Sequence, residues 1–207
     1  AMNEGLSRSA RAAVETTGQA GNAIGRLAPH LVLNDPSGAP VSLADLRGRQ
    51  AVVLVFLSSG CPVGNRYVPV LNELQQRYAG RGVEFVGIYP HRSDTPERIA
   101  KHVAEFQIAF PVVADPDQAA VDAVGAERTP EAFVLDARRT VRYRGRIDDR
   151  FGYDHQRSAA TRTELVDALE SVLASRQVEV AVTQAEGCAI THRRQSQQRV
   201  LNYAEDV

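Results

Sequence analysis

The feature that most constrains this chain is the run AVVLVFLSSGCPVGNRYVPVLNEL, residues 51 to 74. Its opening stretch is almost wholly apolar and β-branched, the pattern of a strand buried on both faces. Beyond Cys61, residues Val70, Leu71, Leu74 and Tyr78 fall on one stripe of a helix that Gly80 and Gly82 end. Cys61 therefore sits where a buried strand turns into a helix, and Pro62, lacking an N–H, suits the first helical turn. Backbone N–H groups at a helix N-terminus favour an anion, the form in which a thiol is nucleophilic. Ser58 and Ser59 add hydroxyls near the sulfur. A reactive thiol and a half-buried structural cysteine both fit this turn. A C-x-x-C pair would place its second sulfur at position 64, and Gly64 stands there.

Alternation of strands and helices continues on both sides of the turn. LVLNDPSGAPVSL reads as a hairpin around a Pro-Ser-Gly turn, and SLADLRGR as a single helical turn with a Ser cap and a Gly stop. VEFVGIYP is a second buried strand. SDTPERIAKHVAEFQI follows as a helix capped by Asp94 or Thr95, with Pro96 at its first position and Ile99, Val103 and Phe106 inward. FPVVADPD is a short strand, DQAAVDAVGA a short helix, and EAFVLDARRTVRYRGRI two strands joined by a turn. TRTELVDALESVLAS closes the series as an amphipathic helix with Leu165, Leu169, Val172 and Leu173 inward. This order predicts an α/β domain: a mixed, mostly parallel sheet flanked by helices, with an N-terminal hairpin and an antiparallel pair near the end. Residues 1–26 read as a flexible lead-in, 27–176 as the domain, and 177–207 as a C-terminal extension carrying Cys188, a linker if a further domain follows. Within the lead-in, SARAAVETT has the makings of a short helix.

Composition excludes several functions. The chain has 207 residues, 43% hydrophobic and 24% charged, with 24 basic against 25 acidic residues and a net charge of −1. That balance gives no electrostatic reason for a nucleic-acid or anionic-membrane partner. No run of eighteen apolar residues marks a membrane span, and no secretory h-region follows the opening Ala1-Met2. Two cysteines, Cys61 and Cys188, are too few for a disulfide scaffold, and without a C-x-x-C pair neither a metal site nor a cofactor is expected. In ERTPEAFVLD, the Thr129-Pro130 bond directly before a buried strand is a candidate cis peptide that would expose the preceding backbone to a substrate beside the thiol.

These stretches together resemble the thioredoxin-fold redoxins of the alkyl-hydroperoxide-reductase and thiol-specific-antioxidant (AhpC/TSA) grouping. VVLVFLSSGCPVGNRYVPVLNEL, GVEFVGIYP, FPVVADPD and GAERTPEAFVLDARRTVRYRGRIDDR carry the likeness, over roughly residues 27 to 175. The resemblance implies a thioredoxin-like fold, Cys61 as the redox-active thiol and Pro130 as the cis-proline facing it, with Thr129 before it. Ser58 matches the Thr or Ser that peroxiredoxins keep three residues before their cysteine. Leu54 stands where they keep a proline, and Arg128 is two residues off the register of their arginine. The copper-chaperone branch needs C-x-x-x-C and a distant histidine; Asn65 holds the second ligand position, so copper binding through His155 or His91 is not expected. His91 itself follows a strand at the sheet edge where α/β proteins bind ligands, although YPHRSDTP also reads as a plain loop.

Cys188, in TQAEGCAI, is the candidate for the missing sulfur, since Gly187 lets the chain turn closely. Larger bacterial redoxins carry a comparable Gly-Cys-x-Ile after the domain, which implies a tail crossing back so that Cys188 resolves Cys61 or pairs with it permanently. An inert apolar residue pinning the tail is the alternative. The charges of RYRGRIDDRFGYDHQRSAATR read as a solvated surface with internal ion pairs, or else place Asp148, Asp149 or Tyr153 near Cys61. RVLNYAEDV resembles the stretch that leads those larger proteins into a haem-binding domain, which implies a piece of a longer, exported, periplasmic-type protein with that domain as partner. The expected function is thiol-based oxidoreduction of a disulfide-bearing protein or a small peroxide, with an external thiol as reductant. The rival is a non-catalytic interaction module with a structural Cys61–Cys188 disulfide.

Overall fold

The computed structural model describes residues 23–152 and 154–192. The SARAAVETT stretch, Tyr153 and RVLNYAEDV lie outside the described residues. Among the described residues, thirteen elements follow one another: β1 (Val32–Asn34), β2 (Pro40–Ser42), β3 (Ala51–Phe56), α1 (Pro62–Ala79), β4 (Val83–Tyr89), α2 (Pro96–Phe106), β5 (Val112–Ala114), α3 (Ala119–Val124), β6 (Arg128–Thr129), β7 (Glu131–Asp136), β8 (Val141–Gly145), α4 (Glu164–Leu173) and β9 (Cys188–Ala189). Seven strands form one sheet in the order β2-β1-β5-β4-β3-β7-β8, and β6 and β9 form a separate pair.

β3 lies inside the sheet, parallel to β4 and antiparallel to β7, which is why all six of its residues are buried. The parallel part is β5-β4-β3, and antiparallel ladders extend it on both sides: β1 joins β5 and the expected hairpin partner β2, while β7 and β8 continue from β3. Alternation along β3 then sorts the core into two layers. Ala51, Val53 and Val55 meet Tyr67, Val68, Leu71 and Tyr78 of α1, Ile99 of α2, and Leu165 and Leu169 of α4. Val52, Leu54 and Phe56 face Ala120, Val121 and Val124 of α3, together with Ala23, Ala28 and Leu33. Each fully buried Val or Leu contributes about 1.5–3 kcal/mol, so a charged side chain on either face of β3 would be strongly destabilising.

Two local expectations change and one open alternative is decided. SLADLRGR forms consecutive turns, closed by Asp45 N–H to Ser42 O and Arg47 N–H to Ala44 O, rather than a helical turn. Thr95, not Asp94, caps α2, accepting from Arg98 N–H, because Asp94 points back to the cysteine turn. Ordered contacts begin before residue 27: Gly25 N–H donates to Val141 O, Val141 N–H donates to Arg26 O, and Ala23 is buried. That end of the predicted lead-in covers part of the second layer.

Candidate active site

Cys61 is the N-cap of α1, with extended backbone (φ −93°, ψ 108°) and Pro62 next. Its Sγ accepts from Gly64 N–H at 3.4 Å, and its thiol donates to Thr129 O at 2.9 Å. Cys61 is wholly buried, where the turn by itself predicts a half-buried cysteine. Helix geometry explains the first contact, since N-cap side chains accept from the otherwise unpaired N–H groups of the first turn. Chain crossing explains the second, because Thr129–Pro130 is a cis bond on the loop between α3 and β7 that passes over the cysteine. Thr129 is completely buried, and its Oγ1 has no hydrogen-bond partner among the described residues.

Ser58 shapes the turn and does not touch the sulfur in any described bond. Its carbonyl accepts from Cys61 N–H at 3.1 Å and its hydroxyl from Gly60 N–H at 3.4 Å. Ser59 donates through its hydroxyl and its N–H to Asp94 Oδ1, leaving Asp94 Oδ2 buried without a partner among the described residues. Asn65, where a C-x-x-x-C ligand would stand, bridges instead: its Nδ2 donates to Ser59 O at 3.5 Å and its Oδ1 accepts from His102 Nε2 at 2.9 Å. His102 Nδ1 in turn accepts from Tyr89 OH at 2.7 Å. In this arrangement His102 is neutral, and burial, which pushes its pKa below the usual value, favours that form. Nothing in the sequence period separated His102 from an ordinary polar helix residue; only the packing of α2 on α1 reveals it.

A second unforeseen group holds the Thr129 loop. Glu131 is buried immediately after Pro130; one carboxylate oxygen accepts from Glu127 and Arg128 N–H at 2.7 and 3.1 Å, the other from Arg144 at 2.6 and 3.1 Å. Both partners are nearly excluded from water, so the bonds made to every lone pair are what make this charge pair tolerable. The available signal was a charge on each of two mostly buried strands, Glu131 on β7 and Arg144 on β8.

The extension after α4 returns to the domain as a strap. Arg144 N–H donates to Ala181 O and Thr183 N–H to Arg144 O, so the strap first runs along the edge strand β8. It then reaches the active-site loop, where β9 pairs antiparallel with β6 in the register Thr129↔Cys188 and Arg128↔Ala189. Arg128 Nη1 donates to Gly187 O at 2.9 Å, Ile190 N–H donates to Glu127 O at 2.8 Å, and Ile190 is buried. Gly187 (φ +149°) is indispensable here, because a Cβ would stand 2.0 Å from Thr129 O. Cys61 and Cys188 are both free thiols and meet at Thr129, with Cys188 the more exposed. Burial pushes the Cys188 pKa up to about 11, reinforced by the Cys61 sulfur within hydrogen-bonding reach.

The charged loop behaves largely as a set of internal pairs. Asp148 takes Tyr67 OH at 2.8 Å, so it reaches the helix that Cys61 opens rather than the sulfur. Asp149 accepts from Thr161, Arg157 and Arg162, and these bonds hold its pKa far below the usual carboxylate range. Glu164 pairs with Arg146. His155 sits with Asp154 and Glu186, ligand-type atoms within 4.8 Å of one another. Such exposed groups commonly cluster without an ion. His91, half-buried, uses its carbonyl to accept Asp94 N–H in the turn before α2.

A cysteine at a strand–helix turn of a mixed sheet, in direct contact with a cis-proline loop, defines a thioredoxin-like redoxin. The model of the AhpC/TSA family matches residues 24–144, and the chain belongs to that family. The strap lies beyond the matched residues. Among solved structures, a hypothetical protein from Sinorhizobium meliloti 1021 is similar at 28% identity and TM-score 0.73, over 81% of this chain and 93% of that one. A putative thiol:disulfide interchange protein DsbE from Chlorobium tepidum shares the fold (TM-score 0.56, 24% identity, 73% and 96% covered). Thiol-disulfide oxidoreductase ResA of Bacillus anthracis is 30% identical over 113 residues, 55% of this chain; the match covers 64% of that relative's length, less than two thirds. Among the described residues, no helix is long and apolar enough to cross a membrane.

Proposed function

We propose that the protein is a thiol-based oxidoreductase in which Cys61 is the nucleophile and Cys188 its second sulfur. One observation carries the reading: the strap pairs Cys188 with Thr129, the residue whose carbonyl the Cys61 thiol contacts at 2.9 Å. The names of relatives as thiol-disulfide oxidoreductases support the same chemistry. With a disulfide substrate, the Cys61 thiolate attacks one sulfur and expels a thiolate. Cys188, as thiolate, then attacks Cys61 Sγ and expels the second, so the substrate gains two electrons and the protein becomes a disulfide. With a peroxide, Cys61 is oxidised to a sulfenic acid as the alcohol (water from hydrogen peroxide) leaves, and Cys188 condenses with it to release water. An external dithiol restores both thiols. The helix N-terminus and Gly64 N–H stabilise a leaving or attacking thiolate at Cys61.

Thr129, Pro130 and Ser58 serve as positioning residues: the first two form the wall facing the sulfur, and Ser58 holds the turn. This chemistry fits an oxidising compartment, so an exported protein is the reading for localisation, with a haem-binding domain of the same polypeptide as its electron-exchange partner. Full burial of Cys61 and the raised Cys188 pKa favour one rival, an interaction module locked by a structural bridge. Turnover decides. Wild type, Cys61→Ser and Cys188→Ser are assayed for reduction of a protein disulfide and of hydrogen peroxide with an external thiol. Oxidoreduction predicts turnover abolished by Cys61→Ser. No turnover in wild type, with a bridge resistant to glutathione-strength reductant, would leave the module.

A further inference from the structure

Among the described residues, β9 is the element whose pairing depends on a residue chosen for close approach to the reactive loop. Cys188 and Ala189 pair antiparallel with β6 in the register Thr129↔Cys188 and Arg128↔Ala189, directly after a bend at Gly187. Arg128 fastens the Gly187 carbonyl, Glu127 O accepts Ile190 N–H, and the buried Ile190 anchors the far end. Thr129 and Cys61 beneath are both wholly buried. The edge of β6 next to the cysteine is therefore a surface that accepts an extended chain segment, and the chain's own tail fills it.

We propose that the strap is a built-in occupant of a peptide-docking edge: a protein partner reaches Cys61 only by exchanging with residues 186–190, as an extended segment with glycine directly before its cysteine. The glycine requirement follows from register. Any side chain at the position of Gly187 would place its Cβ 2.0 Å from Thr129 O, 2.7 Å from Thr129 C and 2.9 Å from Pro130 Cδ. Two of those three atoms are backbone and cannot swing away. A partner carrying glycine there forms the same pairing, while one carrying a β-branched residue cannot enter in this register. The strap thus holds the thiol closed until a matching segment, or an opening of the strap itself, uncovers it. This inference rests on Cys61 being the reactive thiol.

The test uses the full chain in a Cys188→Ser background, so that Cys61 alone reports. Alkylation of Cys61 by iodoacetamide is followed by mass spectrometry in that background and after adding Gly187→Val or, separately, Ile190→Ser. Gly187→Val should speed alkylation about tenfold or more, each tenfold corresponding to ~1.4 kcal/mol of docking removed. Ile190→Ser weakens the anchor without touching β6 and should act in the same direction. Circular dichroism and urea unfolding verify that the domain stays folded, and Ile190→Ser decides if Gly187→Val does not fold. A peptide copying residues 184–191, activated at its cysteine as a mixed disulfide with thionitrobenzoate, is then offered to the opened protein beside a copy with valine before the cysteine. The glycine peptide should react at least about tenfold faster. Unchanged alkylation rates in the folded variants would overturn the occupant role, and equal peptide rates would overturn the register. Because these readouts measure access and not turnover, they can fail while Cys61-dependent oxidoreduction survives, and the reverse.

Discussion

Gly64→Cys restores the second sulfur of a C-x-x-C pair, and the structure allows its outcome to be worked out. A Cβ built on Gly64 lies 3.6 Å from Cys61 Cβ, 3.7 Å from Cys61 Sγ and 3.8 Å from Pro130 Cδ. Disulfides need Cβ atoms about 3.5–4.5 Å apart, so the new thiol is already within bonding geometry and meets nothing closer than ordinary contact. Gly64 is not among the residues with positive φ, so the substitution costs no backbone strain and gains a few tenths of a kcal/mol in helix propensity. Bonding to Cys61 needs no docked strap, whereas bonding to Cys188 does. The expected product of oxidation is a disulfide between Cys61 and the thiol introduced at position 64, with Cys188 left alkylatable, read by non-reducing peptide mapping. Chain entropy supplies a second readout: a four-residue ring is worth about 2 kcal/mol, while a loop from 61 to 188 is worth about 5. The oxidised variant should thus be less stable than oxidised wild type by about 3 kcal/mol, or roughly 6–12 °C in Tm. A variant that still oxidises chiefly to Cys61–Cys188 would refute the geometry on which this rests.

Other perturbations test separate parts of the site. Glu131→Ala leaves the buried Arg144 with only the longer 3.4 Å pair to the more exposed Glu127 and frees Glu127 and Arg128 N–H; a loss of about 3 kcal/mol is expected in urea unfolding. Glu131→Gln, which keeps an acceptor, should lose less. His102 has a folded pKa below 6.5, so the unfolded chain binds the extra proton first as pH falls; stability from the neutral ring is present above 6.5 and declines below it. His102→Gln should flatten that decline between pH 7 and 5, and an unchanged slope would assign it to other groups. Cys61→Ser removes two of the three influences that raise the Cys188 pKa and leaves burial, so the Cys188 thiolate absorbance should appear at lower pH than about 11.

Much of the frame was legible because periodicity encodes burial. The unbroken apolar run 51–57 could only be an interior strand, and the stripe Val70, Leu71, Leu74, Tyr78 could only face it. The hairpin, α2, α3 and the β7–β8 pair followed from turn chemistry and spacing. Strand direction was less legible: β-α alternation argues for parallel pairs, but the order in which strands enter the sheet decides, and β7 enters beside β3 running the other way. The SLADLRGR turns show another limit, since one helical turn and successive β-turns differ by little in local free energy.

The sequence alone determined the position of Cys61, since only the end of a buried strand at a proline-started helix satisfies both the apolar run and the orphan N–H groups of the first turn. It also determined that no second sulfur lies within the turn, and offered Cys188, beside Gly187, as the candidate for it. What only the tertiary structure decided is what surrounds the sulfur. Glu131 and Arg144, His102 and Asn65, Thr129 and Gly187 are 13 or more residues apart, in pairs that no local period can connect. Their contacts depend on chain crossing and strand register, which shift by whole residues when a strand enters the sheet elsewhere. The strap illustrates the difference: a glycine and a cysteine in a polar tail have no local reason to order, and acquire one only where Thr129 O leaves room for a chain without a side chain.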